Sequence, residues 1–129
     1  MNIPLETIVC VDDDPDILEI YEEYLFGLYQ VVLFWQPIDA FNYLKKNSCS
    51  LLLLDIFMEE MNGLEFIGKL GREGIINFPI LVCTGGADSG LMVGRLAGET
   101  ALELGADNVL LKPFEKNDLI KKIKSLVKL

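Results

Sequence analysis

Five short apolar runs, rich in valine, isoleucine and leucine, recur along this chain. They are Thr7–Val11, Val31–Phe34, Leu51–Leu54, Ile80–Cys83 and Asn108–Leu111. Because their residues do not alternate between apolar and polar, both faces of each predicted strand should be covered. The pattern therefore predicts a parallel sheet buried between two layers of helices.

Segments with helical periodicity separate these runs. The first helix is expected to have Asp14 as its N-cap and Pro15 at its first position, and the second to begin near Pro37. The third should follow the Asn62–Gly63 turn, and the fourth should end at Gly105. A fifth closes the chain, so the predicted fold class is α/β, a doubly wound five-stranded parallel sheet with five helices.

The composition favours one globular unit. A chain of 129 residues with 51% hydrophobic content and no internal repeat is expected to form a single domain over residues 1–129. No uncharged apolar run approaches the length of about 18 residues that a membrane helix requires, and no signal-peptide pattern develops. We therefore expect a cytoplasmic protein without membrane contact.

Charge and residue types narrow the chemistry. Twenty acidic residues against eleven basic ones give a net charge of −9, which argues against direct binding of nucleic acid. The C-terminal lysines are read as a solvated helix face rather than a nucleic-acid patch; they are Lys116, Lys121, Lys122, Lys124 and Lys128. The three cysteines show no CxxC spacing, and the absence of histidine removes imidazole catalysis.

Polar side chains follow the predicted strands where each strand ends. Asp12 and Asp13 follow the first strand, Asp55 the third, Thr84 the fourth and Lys112 the fifth. Each alone could be a helix-capping or turn residue. Because the carboxyl ends of parallel strands meet at one edge of a sheet, where ligands bind, their joint placement predicts a site.

These residue types suit phosphoryl transfer. Three adjacent carboxylates repel one another unless a pKa rises or a cation binds, and carboxylate oxygens suit Mg²⁺. A carboxylate can attack phosphorus and form an aspartyl phosphate. Lys112 would then pair with the phosphoryl group, and the Thr84 hydroxyl would donate a hydrogen bond to it.

The whole chain resembles the receiver domain of bacterial response regulators. The matching motifs are Val11-Asp12-Asp13-Asp14, Leu54-Asp55 followed by Met58 and Met61-Asn62-Gly63, Thr84-Gly85, Gly105-Ala106-Asp107 and Lys112-Pro113-Phe114. The resemblance implies the strand order 2-1-3-4-5. It also implies a signalling switch rather than an enzyme with a separate substrate, one that catalyses its own phosphorylation and dephosphorylation.

The resemblance assigns a role to each site residue. It implies that Asp55 accepts the phosphoryl group and that Mg²⁺ is held by Asp12, Asp13, Asp55 and the backbone carbonyl of Phe57. Thr84 would be the switch hydroxyl. Lys112 would contact the phosphate, with a cis peptide bond before Pro113.

The implied partners are proteins. The donor would be a sensor histidine kinase or a histidine phosphotransfer protein, and the output would be a protein effector that binds near the site and the fourth and fifth helices. A phosphorylation-dependent dimer is a further form of output that the family allows.

Three features depart from the family. Met58 is followed by Glu59 and Glu60 instead of proline, and Val109 occupies the position of the aromatic switch residue. The segment Thr84–Gly105 is also longer than is usual. Its extra length either alters partner choice or is a tolerated surface insertion.

Two other functions remain open from the sequence. A haloacid-dehalogenase-like phosphatase would use Asp12 as its nucleophile, since Asp12-x-Asp14, Thr84 and Lys112 imitate its motif order; it leaves Asp55 without a role. A phosphate-independent receiver-like interaction module is the second, and the intact set of acidic, threonine and lysine residues argues against it.

Overall fold

A computed structural model describes residues 4–85 and 91–127, and there five strands alternate with five helices. The strands β1 to β5 are Thr7–Val11, Gln30–Phe34, Leu51–Asp55, Ile80–Thr84 and Asn108–Leu111. The helices α1 to α5 are Pro15–Leu25, Pro37–Lys46, Gly63–Arg72, Leu91–Leu104 and Lys116–Leu126. All strand pairs are parallel, in the order β2-β1-β3-β4-β5, which confirms the predicted fold.

The sheet separates two hydrophobic clusters. Val9 and Val11 of β1 face the cluster that contains the buried residues of α2, α3 and α4, whereas Ile8 and Cys10 face the cluster of α1 and α5. Strands β3 and β4 are buried at every position. This double coverage is the physical reason for the continuous apolar runs in the sequence.

The helix starts agree with the capping signals. The Asp14 side chain accepts a hydrogen bond from the backbone N–H of Asp16 at 2.9 Å, and Pro15 is the first residue of α1. At α3, Asn62 and Glu65 form a reciprocal capping box. The N-cap and turn residues therefore allowed the starts of α1 and α3 to be predicted correctly from the sequence.

At their carboxyl ends, two strands run one residue further than their apolar runs. Asp55 pairs with Cys83 in β3 and β4, and Thr84 pairs with Leu111 in β4 and β5. The polar side chains are thus held on the regular ladder of the sheet instead of on loops. That placement restricts their direction and brings them to one edge.

Helix α4 lies unusually close to β5. A Cβ atom added at Gly98 would lie 2.9 Å from Cγ1 of Val109, which is shorter than real Cβ contacts. Val109, where the resemblance expects an aromatic residue, therefore lies directly against a glycine. Residues 86–90 of the longer segment, including Gly86, lie outside the described residues, so the predicted role of that segment stays a prediction.

The three cysteines are free, as expected, with Cys10 and Cys83 buried and Cys49 partly buried. In the described ranges, none of the helices is both long and apolar enough to span a membrane.

Candidate functional site

The carboxyl ends of β1 and β3 bring three aspartates together. Asp12 follows β1 directly, Asp13 is next to it, and Asp55 is the last residue of β3. One carboxylate oxygen from each of the three lies within 4.8 Å of the other two. Asp12 and Asp55 are buried whereas Asp13 is exposed, so the cluster opens to solvent on the Asp13 side.

Lys112 reaches the two buried aspartates from the end of β5. Its Nζ lies 2.7 Å from Oδ2 of Asp12 and 3.2 Å from Oδ1 of Asp55. The backbone N–H of Lys112 donates to the carbonyl of Thr84 at 3.0 Å, and the Lys112–Pro113 peptide bond is cis, as the sequence resemblance implies. The lysine is thereby fixed at both its backbone and its ammonium group.

Burial is the largest cause of the raised pKa values of the two buried aspartates. It raises the pKa of Asp55 to about 6; Lys112 opposes the shift and Asp12 adds to it. Burial likewise raises the pKa of Asp12, again against Lys112. For Lys112 burial disfavours the charged form, but Asp55 and Asp12 outweigh it and raise the pKa. One ammonium group thus offsets part of the free-energy cost of burying two carboxylates.

The two buried aspartates differ in the oxygens they have available. Asp12 uses both oxygens, because Oδ1 accepts from the backbone N–H of Asp14 at 2.9 Å and Oδ2 binds Lys112. Asp55 uses only Oδ1 in hydrogen bonds within the described residues. Asp55 is therefore the better placed of the two to attack an incoming group.

The cluster forms one wall of an open cleft of about 390 Å³. Its lining residues are Asp12, Asp13, Asp14, Ile17, Asp55, Phe57, Gly85, Lys112 and Pro113. Phe57 therefore lies at the cleft, where the resemblance expects its carbonyl to bind a metal.

Thr84 is fully buried at the end of β4, and its Oγ1 has no hydrogen-bond partner among the described residues. Gly85 lines the cleft but Thr84 does not. Leaving a buried hydroxyl unpaired costs about 1–3 kcal/mol, and this hydroxyl is free to donate a hydrogen bond next to the cleft. The structure therefore places the five predicted side chains at one edge of the sheet and brings four of them into the cleft.

Sequence reasoning missed how the loop between β3 and α3 is fixed. The backbone N–H of Gly63 donates to the carbonyl of Ile56 at 2.8 Å. A Cβ at Gly63 would collide with the carbonyl oxygen of Asp55 and would lie 2.9 Å from Cα of Ile56. The Asn62–Gly63 pair indicated a turn, but this close approach to Asp55 has no signal in the sequence.

Gly63→Ala is expected to lower the free energy of unfolding by about 2–3 kcal/mol, because its methyl group would collide with backbone that has no room to move. Gly71→Ala in the same helix is the control: nothing lies within 4 Å of its added Cβ, and a gain of about 0.5–1 kcal/mol is expected. Urea denaturation followed by circular dichroism would measure both. An equal change in the two variants would contradict the close contact.

A second feature that sequence reasoning missed is the packing of Tyr21 beside the segments that carry Lys112 and Thr84. Tyr21 of α1 stacks on Phe114 with ring centroids 5.8 Å apart, and Tyr21 and Cys83 belong to the same buried hydrophobic cluster. Phe114 lies two residues after Lys112, and Cys83 lies just before Thr84. Tyr21 thus packs beside both segments that carry these side chains, which a local sequence pattern does not reveal.

Comparisons with known proteins agree with this fold. The curated relatives include the response regulator MprA of Mycobacterium leprae, 34% identical over 94% of this chain and 50% of the relative. The CpxR homolog of Haemophilus influenzae, a transcriptional regulatory protein, is 30% identical over 96% of this chain and 51% of the relative. The chain therefore spans about half the length of these relatives.

Solved structures of response regulators are also similar to this chain. The response regulator receiver domain protein from Methanospirillum hungatei aligns with a TM-score of 0.79 and 27% identity, over 94% of this chain and 92% of that one. Full-length FixJ from B. japonicum aligns with a TM-score of 0.83 and 28% identity, over 97% of this chain and 59% of that one. The family model described as "Response regulator receiver domain" matches residues 8–124. The chain belongs to the response regulator receiver domain family.

Proposed function

We propose that this chain is a phosphoryl-accepting switch in which Asp55 takes the phosphoryl group from a phosphohistidine. The observation that carries the proposal is the convergence of Asp12, Asp13 and Asp55 within 4.8 Å, with Lys112 bound to two of them. The family is one of signalling switches in two-component systems. A sensor histidine kinase or a histidine phosphotransfer protein would be the donor.

In the proposed reaction, a carboxylate oxygen of Asp55 attacks phosphorus while the phosphorus–nitrogen bond of the phosphohistidine breaks. The electron pair of that bond stays on the imidazole, and Asp55 becomes an acyl phosphate. The Lys112 ammonium would pair with a phosphoryl oxygen, and the buried Thr84 hydroxyl would donate to another. The missing partner of Thr84 Oγ1 supports its part in this scheme.

The donor set fits Mg²⁺. Three carboxylates without histidine or cysteine are hard oxygen ligands, and Mg²⁺ is bound in proteins through a few such groups with water and phosphate completing its shell. Asp12, Asp13, Asp55 and the Phe57 carbonyl would hold the ion. When bound, it would neutralise charge that builds up during phosphoryl transfer.

The geometry favours Asp55 over Asp12 as the nucleophile. Both oxygens of Asp12 are engaged, and its side chain is only 1% exposed. A phosphatase that used Asp12 would have to break its contact with Lys112 first. Asp55 meets no such obstacle at its second oxygen.

We also propose that the domain promotes its own phosphorylation and dephosphorylation, and that its output is binding to a protein effector, by a phosphorylation-dependent dimer or by another interface. The net charge of −9 supports protein partners over nucleic acid or anionic membranes. We further propose that residues 1–129 form a single domain and that the protein lies in the cytoplasm.

The test is incubation with acetyl phosphate and Mg²⁺, borohydride trapping, and peptide mass spectrometry to locate the modified aspartate. We expect modification at Asp55, and none after Asp55→Asn or in EDTA. Trapping at Asp12 would favour the phosphatase instead. No trapping at any aspartate would favour a phosphate-independent module.

A further inference from the structure

The β3–α3 loop carries two glutamates beside the site that the proposed reaction does not use. Glu59 and Glu60 are exposed, and they lie between buried Met58 and half-buried Met61. Met58 and Met61 both contact the hydrophobic cluster under α3, so the loop is attached to the core on either side of the pair. The two carboxylates are held at the surface of a fixed loop.

A direct contact locates this pair relative to the aspartates. The backbone N–H of Glu59 lies 3.3 Å from Oδ2 of Asp13 and donates a hydrogen bond to it. The Glu59 carboxylate is therefore within about one screening length of Asp13, which is roughly 8 Å at physiological salt. Its charge acts on whatever enters the cleft from that side.

No cationic side chain in residues 4–85 and 91–127 compensates the two glutamates. Neither is in an ion pair with any lysine or arginine that the structure describes. Asp14 adds another exposed carboxylate to the cleft. Asp14 follows Asp13 at the cleft and Glu60 follows Glu59, so we call Asp14, Glu59 and Glu60 the acidic rim on the Asp13 side of the cluster.

When a divalent cation is bound, the acidic rim determines the net charge that an approaching phosphodonor encounters. Three carboxylates, the Lys112 ammonium and one divalent cation together carry no net charge, so a loaded site would be electrically balanced. The rim is then the uncompensated charge nearest to an approaching donor. An anionic donor is repelled in proportion to its own charge.

We infer that Glu59 and Glu60 are specificity-determining residues that select phosphodonors by charge. They disfavour free donors that carry two negative charges relative to donors that carry fewer. The inference rests on the proposed function of Asp55. It also requires that the same two glutamates strengthen the binding of a divalent cation, because the field that repels an anion attracts a cation.

Two small donors of different charge test the inference directly. Near neutral pH acetyl phosphate is mainly dianionic and phosphoramidate is mainly monoanionic. With either one, the new Asp55–phosphorus bond forms as the bond to the leaving group breaks, and acetate or ammonia is released. Rate constants for both would be measured by intact-protein mass spectrometry at saturating Mg²⁺ and low ionic strength.

Glu59→Gln with Glu60→Gln should raise the ratio of the acetyl phosphate to the phosphoramidate rate constant about twofold to fivefold. The matched control is Glu22→Gln with Glu23→Gln, because this exposed pair on α1 gives the same change in net charge away from the cleft. The control should leave the ratio unchanged. In about 0.5 M KCl the effect of the loop variant should largely vanish, since screening is then much stronger.

Calorimetric titration with Mg²⁺ gives a readout that does not depend on phosphorylation. The loop variant should bind Mg²⁺ about threefold to tenfold more weakly at low ionic strength, and the control should bind like the unaltered protein. An unchanged donor ratio, an unchanged Mg²⁺ affinity, or equal effects in the two double variants would each overturn the inference. Failure of both donors to label the unaltered protein would instead reject the proposed function, and this inference with it.

Discussion

Replacing Lys112 with methionine should lower the free energy of unfolding of the metal-free protein by about 3 kcal/mol at neutral pH. The Nζ atom of Lys112 contacts both Asp12 and Asp55, whose side chains are 1% and 6% exposed. Methionine keeps much of the apolar length of the lysine but removes its charge. Two buried carboxylates are then left without their only cationic partner among the described residues.

The expected loss is large because neither carboxylate can regain water easily. Burial already raises the pKa of Asp55 and of Asp12 while Lys112 is present. Without the ammonium group, the protein must take up protons at these sites or keep charges in a poorly solvated place. Urea denaturation in EDTA, followed by circular dichroism, would measure the change.

Mg²⁺ should reverse much of this loss. A divalent cation that binds only the folded state stabilises it by about 2.7 kcal/mol at a hundred times its dissociation constant. At that saturation, the stabilisation of Lys112→Met by Mg²⁺ should therefore offset most of the roughly 3 kcal/mol that the substitution costs the metal-free protein. Lys121→Met, at an exposed lysine of α5, is the control and should change stability by less than about 0.5 kcal/mol. A similar loss in both variants would show that the ion pairs contribute nothing specific.

The sequence allowed the fold to be predicted because its signals are local. Continuous apolar runs marked all five strands, and capping residues such as Asp14 and Asn62 marked helix starts. Their errors were confined to ends: β3 and β4 each continue by one polar residue, Asp55 and Thr84. Apolar patterning cannot show that a polar residue remains on the ladder.

The composition of the site was also predictable, because strand ends of a parallel sheet meet at one edge. Its contacts were not, since they join residues far apart in the chain. Lys112 is separated by 100 residues from Asp12, and Glu59 by 46 from Asp13. Whether such side chains touch depends on strand register and loop path, which no local pattern records. The chemical roles of Asp55, Thr84 and Lys112 stay predictions until phosphorylation is measured.

A second large effect is expected from Asp55→Asn, which should stabilise the metal-free protein. Folding raises the pKa of Asp55 from 3.8 to about 6, chiefly through burial. The folded state therefore binds the proton more tightly than the unfolded state does. This contribution to stability is fully present below about pH 4 and is lost as the pH rises through about 6.

Asparagine cannot ionise, so the variant should escape that loss. Its free energy of unfolding in EDTA at neutral pH should exceed that of the unaltered protein by on the order of 2 kcal/mol. Below about pH 4 the two should converge. Denaturation midpoints measured across this pH range would show the difference growing with pH. Glu99→Gln removes an exposed carboxylate from α4 and should not produce such a pH-dependent difference.

Mg²⁺ should invert the order of the two proteins. The ionised Asp55 that destabilises the metal-free fold is one of the carboxylates that would bind the cation, so the unaltered protein should gain more from Mg²⁺ than Asp55→Asn does. Parallel pH profiles in EDTA, together with equal gains in Mg²⁺, would contradict both the raised pKa and the place of Asp55 in the metal site. The same carboxylate thus weakens the empty fold and strengthens the loaded one, which couples stability to occupancy of the proposed site.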